Sequence, residues 1–247
     1  MKFIISCLAF LLIFTTTTSL AGEFGSANTT PDTPDEALFL EAAGSGDLTA
    51  LKGLLEGGGV PADLINWEIA KLLPSEEAET YLARIIDGKG NSPLRAEALS
   101  LLSKRREGQG RWKDASALLL RLSELLTDEK DLSGALSRLL AALDKAGEAA
   151  RAEAVAITLW SEYAHLPQAD EAERYLARKT GDPFKPVPGE KIFMRGKKLL
   201  EKGSRAEAVE LFTKLRPRLL YGTKFLPELD LGLGKALYLL RRYEEAL

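Results

Sequence analysis

The sequence predicts an all-α protein of stacked antiparallel helix hairpins that form an α-superhelix or solenoid. Three observations support this fold class. Apolar residues recur at helical spacing from Glu36 onward, without the sustained two-residue alternation of strands. Gly, Asp or Pro breaks divide the chain into pieces of about 10–17 residues, a usual length for globular helices. Two segments near the C-terminal end also have similar sequences at a fixed spacing in residues.

The composition is that of an ordinary globular chain. Of the 247 residues, 45% are hydrophobic and 28% are charged, and 33 Lys and Arg stand against 36 Asp and Glu, a net charge of −3. These values argue against a disordered chain and against a polybasic nucleic-acid-binding protein. The chain has one Cys and one His, too few for a His/Cys metal site. We therefore expect no metal site and no cofactor.

The first 21 residues have the features of a secretory signal peptide. Lys2 supplies a positive charge, residues 3–14 are almost entirely apolar, and Ser19 and Ala21 are the small residues that signal peptidase favours. An uncleaved anchor is the alternative, but the apolar run is shorter than the roughly 20 residues that a membrane-spanning helix needs. We expect cleavage after Ala21, a periplasmic location and a mature chain without cysteine.

The rest of the chain divides by composition into a leader, a helical block, a linker and a second helical block. These parts are the leader at residues 22–35, the first block at 36–180, the linker at 181–189 and the second block at 190–247. The leader is rich in Gly, Ser, Thr and Pro and is predicted to be flexible. The linker holds three prolines in nine residues, so no helix crosses it, and Phe184 and Val187 indicate that it packs on the protein.

The first block shows both apolar stripes and helix-capping residues. Two stripes have helical spacing: Trp112, Ala115, Leu119, Leu122 and Leu126, and then Leu136, Leu139, Leu140 and Leu143. Residues 39–59 resemble an ankyrin helix pair, but the turn motif of that family is absent and no second copy follows, so we expect one more hairpin. Asp128, Asp131 and Ser133 are expected at one capped helix start and Ser75 at another, and in the second block Ser204 and Glu207 have capping-box spacing.

The internal repeat lies in the second block and has an offset of 38 residues. It pairs Gly196 with Gly234, Leu199 with Leu237 and Ala208 with Ala246. The pattern is similar to the tetratricopeptide repeat, in which small residues let two helices approach and large neighbours fill the groove beside them. Ala208 is therefore expected at a contact between two helices. A weaker third copy starts at Gly110.

Residues 159–208 also resemble a known family. The segment Leu159-Trp160-Ser161-Glu162-Tyr163 is followed by Pro167, Ala169, Ala172 and Leu176, and after the linker come Glu190, Arg195-Gly196, Leu199-Leu200, Gly203, Ala206 and Ala208. This order resembles the α-superhelical region of soluble lytic murein transglycosylases, and the likeness covers mainly residues 155–247. The chain departs from that pattern where three residues separate Tyr163 from Pro167, and where Gly196 replaces the usual Ala.

The resemblance implies an exported, non-catalytic module that shapes or binds cell-wall glycan for a lysozyme-like catalytic domain. No Glu-Ser motif of such a domain follows residue 189, and the repeat alignment stops within a helix at residues 243–247, so we expect a truncated chain. Whether the parent protein is an enzyme stays open. The alternative is a periplasmic tetratricopeptide scaffold. The expected partners are peptidoglycan or proteins, with no nucleic acid and no membrane span after signal cleavage.

No catalytic, cofactor-binding or metal-binding residue is assigned from the sequence. Residues 87–91 mimic the start of a calcium loop, but Ser92 replaces its glycine and Ala98 its final acid, so a plain turn is expected. The lone His165 is expected near the carbonyls of a helix C-terminus.

The remaining conspicuous residues are also interpreted as structural. The adjacent acids Glu76-Glu77 and Glu244-Glu245 do not face each other on a helix, so they are poor acid/base pairs and are expected to offset helix dipoles. The basic run of residues 104–106 is interpreted as a solvated helix end. Trp112 and Trp160 fall on apolar stripes, which favours core packing over sugar stacking.

Overall fold

The computed structural model describes residues 33–219 and 225–246, and every regular element in these residues is helical. The α-helices are α1 (Pro34–Ser45), α2 (Leu48–Gly57), α3 (Ala62–Leu72), α4 (Ser75–Asp87), α5 (Arg95–Gly108), α6 (Trp112–Leu125), α7 (Glu129–Lys145), α8 (Ala149–Glu162), α9 (Gln168–Thr180), α10 (Gly189–Glu201), α11 (Arg205–Leu215) and α12 (Leu226–Leu239). Short 3₁₀ helices cover Arg216–Arg218 and Tyr243–Glu245. The predicted signal peptide and nearly all of the predicted leader lie outside the described residues.

Side-chain caps start three of the helices. Thr33 caps α1, Asp47 caps α2, and Asp128 caps α7 by accepting hydrogen bonds from the backbone N–H groups of Lys130 and Asp131. Of the three candidates at this helix start, Asp128 is therefore the cap, whereas Asp131 and Ser133 lie within α7. The cap predicted at Ser75 is wrong, because α4 begins at Ser75 itself and Pro74 occupies the N-cap position. The capping box predicted at Ser204 is wrong, because its side chain accepts no bond from α11. Its ψ of 61° departs from the extended backbone that usually aims a capping side chain at the helix.

The first compact unit ends at Ala98 and is a series of paired helices. In it α1 packs on α2, α2 on α3, and α3 on α4. Its core includes Phe39, Leu51, Leu54, Ile65 and Ile69. Residues 39–59 thus belong to an ordinary helix hairpin, as expected.

The second compact unit begins at Leu99 and is a longer series of the same kind. Consecutive helices pack from α6 to α9 and again from α10 to α12, while α7 also contacts α9, α8 contacts α10, and α10 contacts α12. Arg138 of α7 donates hydrogen bonds to the side chains of Ser103 and Glu107, at 2.7 and 3.0 Å, and so joins α7 to α5. The predicted all-α fold of stacked helix hairpins is confirmed.

The proline-rich linker lies inside this second unit and packs down on it. Val187 is buried. The Phe184 and Trp160 rings pack edge to face, and their centroids are 5.5 Å apart. Beyond the linker, α10 packs against α8. The packing predicted for Phe184 and Val187 is therefore confirmed.

The repeat residues lie at the helix contacts of α10, α11 and α12. Leu199, Leu237 and Ala208 are all buried, and Ala208 is completely inaccessible to solvent. A Cβ atom added to Gly196 would overlap the Phe212 ring of α11, so this glycine is needed for the close approach of α10 and α11.

Among the described residues, no helix combines the length and apolar character needed to cross a membrane.

Candidate functional site

A buried arginine of α10 forms the centre of the candidate site. Arg195 is 8% exposed, and its Nη1 donates a 2.6 Å hydrogen bond to the carbonyl oxygen of Trp160. That carbonyl lies in the last turn of α8, where carbonyls have no partner within the helix and a positive charge is favourable. Arg195 Nη2 also lies 3.4 Å from Glu173 Oε2 of α9. One side chain thus joins α10 to both helices of the preceding hairpin.

Trp160 of α8 is the second residue of this centre. Its ring is fully buried, the Arg195 guanidinium lies 4.6 Å from the ring centroid, and its Nε1 donates a 3.0 Å hydrogen bond to Glu173. A cation over an indole ring is a favourable electrostatic contact. The predicted core position of Trp160 is confirmed, and its buried ring offers no face to a sugar.

An open pocket of about 180 Å³ lies beside Arg195. It is lined by Glu173, Phe184, Arg195, Leu199, Glu207, Glu210, Leu211 and Lys214. Two leucines and one aromatic ring supply apolar walls, and the remaining five residues are charged. Lys214 pairs with Glu210 at 2.6 Å. The pocket therefore combines both signs of charge with an apolar surface.

The electrostatics of the pocket suit recognition of a polar ligand. Burial lowers the pKa of Arg195, whereas the carboxylates of Glu173 and Glu207 raise it, and a guanidinium stays charged at any physiological pH. Glu207 is exposed, and at this rim it can bind a cationic group of a ligand. Within residues 33–219 and 225–246, no group of three or more His, Cys, Asp or Glu side chains could hold a metal ion.

A second charged cluster surrounds Glu129 at the start of α7. Lys198 and Lys202 of α10 contact its carboxylate at 2.7 and 3.1 Å, and His165 Nε2 lies 3.4 Å from Glu129 Oε2. The hydrogen bonds from the two lysines lower the pKa of Glu129 to about 2. The cluster ties the N-terminus of α7 to the C-terminal half of α10.

His165 lies in the turn that follows the C-terminus of α8, at a helix end as expected, and its Nε2 faces the Glu129 carboxylate. Burial lowers the pKa of its imidazole, and Glu129 opposes that effect. Because Lys198 and Lys202 are one helical turn apart on α10, they hold the carboxylate where His165 meets it.

The loop that mimics a calcium site is a helix–helix turn that holds an arginine. The Arg95 guanidinium donates hydrogen bonds to the carbonyl oxygens of Gly88, at 2.8 Å, and Gly90. The positively charged side chain of Arg95 thus binds the carbonyl oxygens of this turn, which agrees with the expectation of a plain turn.

Trp112 differs from the prediction of core packing. It is half-buried, and Lys145 Nζ lies 3.9 Å from its ring centroid, beside a shallow surface pocket. Trp112 is the first residue of α6 and therefore lies at the end of its apolar stripe. Of the two tryptophans on apolar stripes, Trp160 alone is a core residue.

The charged residues at helix ends lie where the sequence places them. Glu76 and Glu77 occupy the first turn of α4, and Arg105 and Arg106 occupy the last turn of α5. Glu244 and Glu245 belong to the 3₁₀ helix Tyr243–Glu245, where Glu245 pairs with Arg242.

Sequence reasoning missed the residues that line the pocket. Arg195 did carry a detectable signal, since it is a charged residue three positions after Ile192 and four before Leu199, within an otherwise apolar stripe. No comparable signal marks Glu173, Glu207 or Lys214, which meet only through the packing of α9, α10 and α11.

Comparison with known proteins gives likeness of structure without likeness of sequence. No family model matches the chain, and no curated protein matches it. Among solved structures, BtubC (BKLC) from P. vanneervenii is 16% identical with a TM-score of 0.34, and the match covers 87% of each chain. A kinesin-light-chain-type protein of Podosopora anserina with nearly identical TPR-like repeats is 14% identical with a TM-score of 0.29, over 87% of this chain and 92% of that one. At these TM-scores the likeness indicates nothing about function.

Proposed function

We propose that the chain is an exported helical-repeat module of a lytic-transglycosylase-like protein, and that it binds cell-wall glycan for a catalytic domain. One observation carries the proposal. Trp160 and Arg195, which belong to the two separate segments that resemble the murein transglycosylases, contact each other 35 residues apart in sequence. The two segments therefore pack as one unit.

The pocket beside Arg195 supplies a surface suited to this ligand. Peptidoglycan carries hydroxyl groups on its sugars and both carboxylates and ammonium groups on its peptides. Glu207 and Lys214 face the pocket with opposite charges, and Phe184 adds an aromatic wall. Each type of ligand group thus has a complementary side chain.

Co-sedimentation with purified sacculi tests the binding. We expect residues 22–247 to sediment with sacculi. The double variant Glu207→Lys, Lys214→Glu should bind about five-fold less, because each charged group of the ligand would then face a side chain of the same charge. Lys52→Glu, an exposed lysine of α2, is the matched control and should bind like the parent. Equal recovery of parent and double variant, or no recovery of either, would contradict the proposal.

Periplasmic location is part of the same proposal and rests on residues 1–21. Expression of the full chain followed by cell fractionation and mass spectrometry should yield a periplasmic protein that begins at Gly22. A full-length product in the cytoplasm would contradict export without bearing on glycan binding.

A scaffold that binds protein partners is the second candidate function. The observation that favours it is an exposed apolar surface on α12, where Leu231 is 74% exposed and Tyr238 is 63% exposed. Large apolar side chains at such exposure are typical of interaction sites when they are contiguous.

A further inference from the structure

The segment that joins α5 to α6 is strongly basic in a chain that is acidic as a whole. Residues 104–114 hold five Lys and Arg residues against two acids, a net charge of +3, whereas the whole chain has a net charge of −3. Both acids are held by arginines: Glu107 accepts a 3.0 Å hydrogen bond from Arg138 of α7, and Asp114 lies 2.6 Å from Arg111. Because Arg138 comes from outside the segment, it compensates Glu107 and leaves a surplus of positive charge on the turn.

These positive charges lie on an exposed turn. Residues 108–111 are all exposed, and so are Lys104 before the turn and Lys113 after it. The neighbouring pocket, lined by residues 110–114 and Ala146, is shallow and wide open to solvent. An extended peptide needs a groove or a sheet edge to lie in, whereas an exposed turn of this kind fits a flat charged surface.

Trp112 lies at the centre of the same turn. Its ring is half-buried, and Lys145 of α7 places another exposed cation 3.9 Å from the ring centroid. Gly110 has no side chain to cover the indole, and a Cβ atom there would lie 3.9 Å from Trp112 Nε1. An indole combines an apolar body with one N–H donor, which is why tryptophan is enriched where a membrane meets water.

We propose that this turn binds the surface of an anionic lipid membrane, with Trp112 at the level of the headgroups. The basic turn is defined by its cations and its indole: Lys104, Arg105, Arg106, Arg111, Trp112, Lys113 and Lys145. Anionic headgroups attract clusters of about four to eight basic residues. The inference concerns a surface separate from the pocket beside Arg195 and does not depend on glycan binding.

Co-sedimentation with lipid vesicles tests the binding. The probes are vesicles of equal parts phosphatidylcholine and phosphatidylglycerol, with pure phosphatidylcholine as the neutral comparison. Residues 22–247 are used, because the apolar run of residues 3–14 would itself enter a bilayer. We expect at least about ten-fold tighter binding to the anionic vesicles, and weaker binding as salt is raised, since salt screens exposed charges.

Two double variants of equal net charge locate the binding surface. Each basic residue near an anionic surface contributes about five-fold in affinity, so Lys104→Gln, Lys113→Gln should weaken binding about 25-fold. Lys52→Gln, Lys235→Gln, at two exposed lysines of α2 and α12, is the matched control and should bind like the parent. Equal binding of the two double variants, or equal binding of the parent to neutral and anionic vesicles, overturns the inference.

Trp112 provides an independent readout of position. Lipid brominated near its headgroup should quench part of the tryptophan fluorescence of the parent, and Trp112→Phe should lose that quenched part. The other tryptophans remain in this variant as an internal reference. Quenching that Trp112→Phe leaves unchanged overturns the placement of the turn at the membrane.

Two further measurements separate the lipid surface from other occupants. If soluble polyglutamate binds the parent as tightly as the anionic vesicles do, and Lys104→Gln, Lys113→Gln weakens both equally, the occupant is an acidic peptide and the inference is overturned. The same double variant should still sediment with sacculi, because it leaves the pocket beside Arg195 intact. Failure of lipid binding is thus distinguishable from failure of the glycan proposal.

Discussion

At the scale of single residues, small side chains determine how closely the helices of the second unit approach. Gly196 and Ala208 both lie at helix contacts, and the Phe212 ring fills the space that the glycine leaves. The sequence identified these small residues, because the 38-residue offset pairs them with Gly234 and Ala246. It could not identify the ring that contacts Gly196, since Phe212 has no distinctive spacing.

Gly196→Ala should destabilise the protein by about 1–3 kcal/mol, because the added methyl group would overlap the Phe212 ring and force it to shift. Gly134→Ala in α7 is the matched control, as a Cβ atom there meets nothing within 4 Å. The control should gain about 0.5–1 kcal/mol from the better helix propensity of alanine. Urea denaturation of both variants measures the difference, and equal midpoints would refute the close approach.

Ala208→Trp should also destabilise the protein, by about 1–3 kcal/mol, because overpacking a fully buried contact displaces its neighbours. Thermal unfolding followed by circular dichroism gives the measurement. A melting curve identical to that of the parent would reject the placement of Ala208 between packed helices.

At the scale of helices, ion pairs and hydrogen bonds connect segments that are distant in sequence. Glu129 of α7 contacts Lys202, the residue that follows α10, across 73 residues, and Arg195 caps the last turn of α8. Apolar periodicity predicted the helices and proline content predicted the break before α10, because both are local properties. Pairings between charged residues are not local, and the cap predicted at Ser204 failed because its backbone angles, not its residue type, decide whether the hydroxyl can reach α11.

The Glu129 cluster predicts a loss of stability in acid. The pKa of Glu129 is about 2 in the folded protein against an ordinary value of 4.5, so its contribution is present above pH 4.5 and is lost as pH falls through about 2. Because the side chain is 36% exposed, solvent screening limits the contribution to about 1 kcal/mol or less.

Glu129→Gln should therefore flatten the pH dependence of the unfolding free energy between pH 4.5 and 2. Glu124→Gln, on the exposed side of α6, is the control and should follow the parent curve. Urea titrations at several pH values in low salt provide the data. A Glu129→Gln curve parallel to that of the parent would show that the cluster contributes nothing to folding.

At the scale of the whole molecule, the described residues form two compact units, each a series of helix hairpins. The fold class follows from the sequence because three properties agree across the chain: the helical spacing of the apolar residues, the length of the segments, and the Gly, Asp and Pro breaks between them. The candidate pocket does not follow, because its lining residues come from three helices and a linker that only folding brings together. The sequence therefore predicts the scaffold well and the pocket only through Arg195.

The central claim is that the segments before and after the proline-rich linker form one packed unit through Trp160 and Arg195. A double-mutant cycle of Trp160→Phe and Arg195→Met, read by urea denaturation, measures their coupling directly. Since the guanidinium lies over the indole ring and both side chains contact Glu173, we expect a coupling free energy of about 0.5–2 kcal/mol. Strictly additive effects of the two substitutions would contradict the claim.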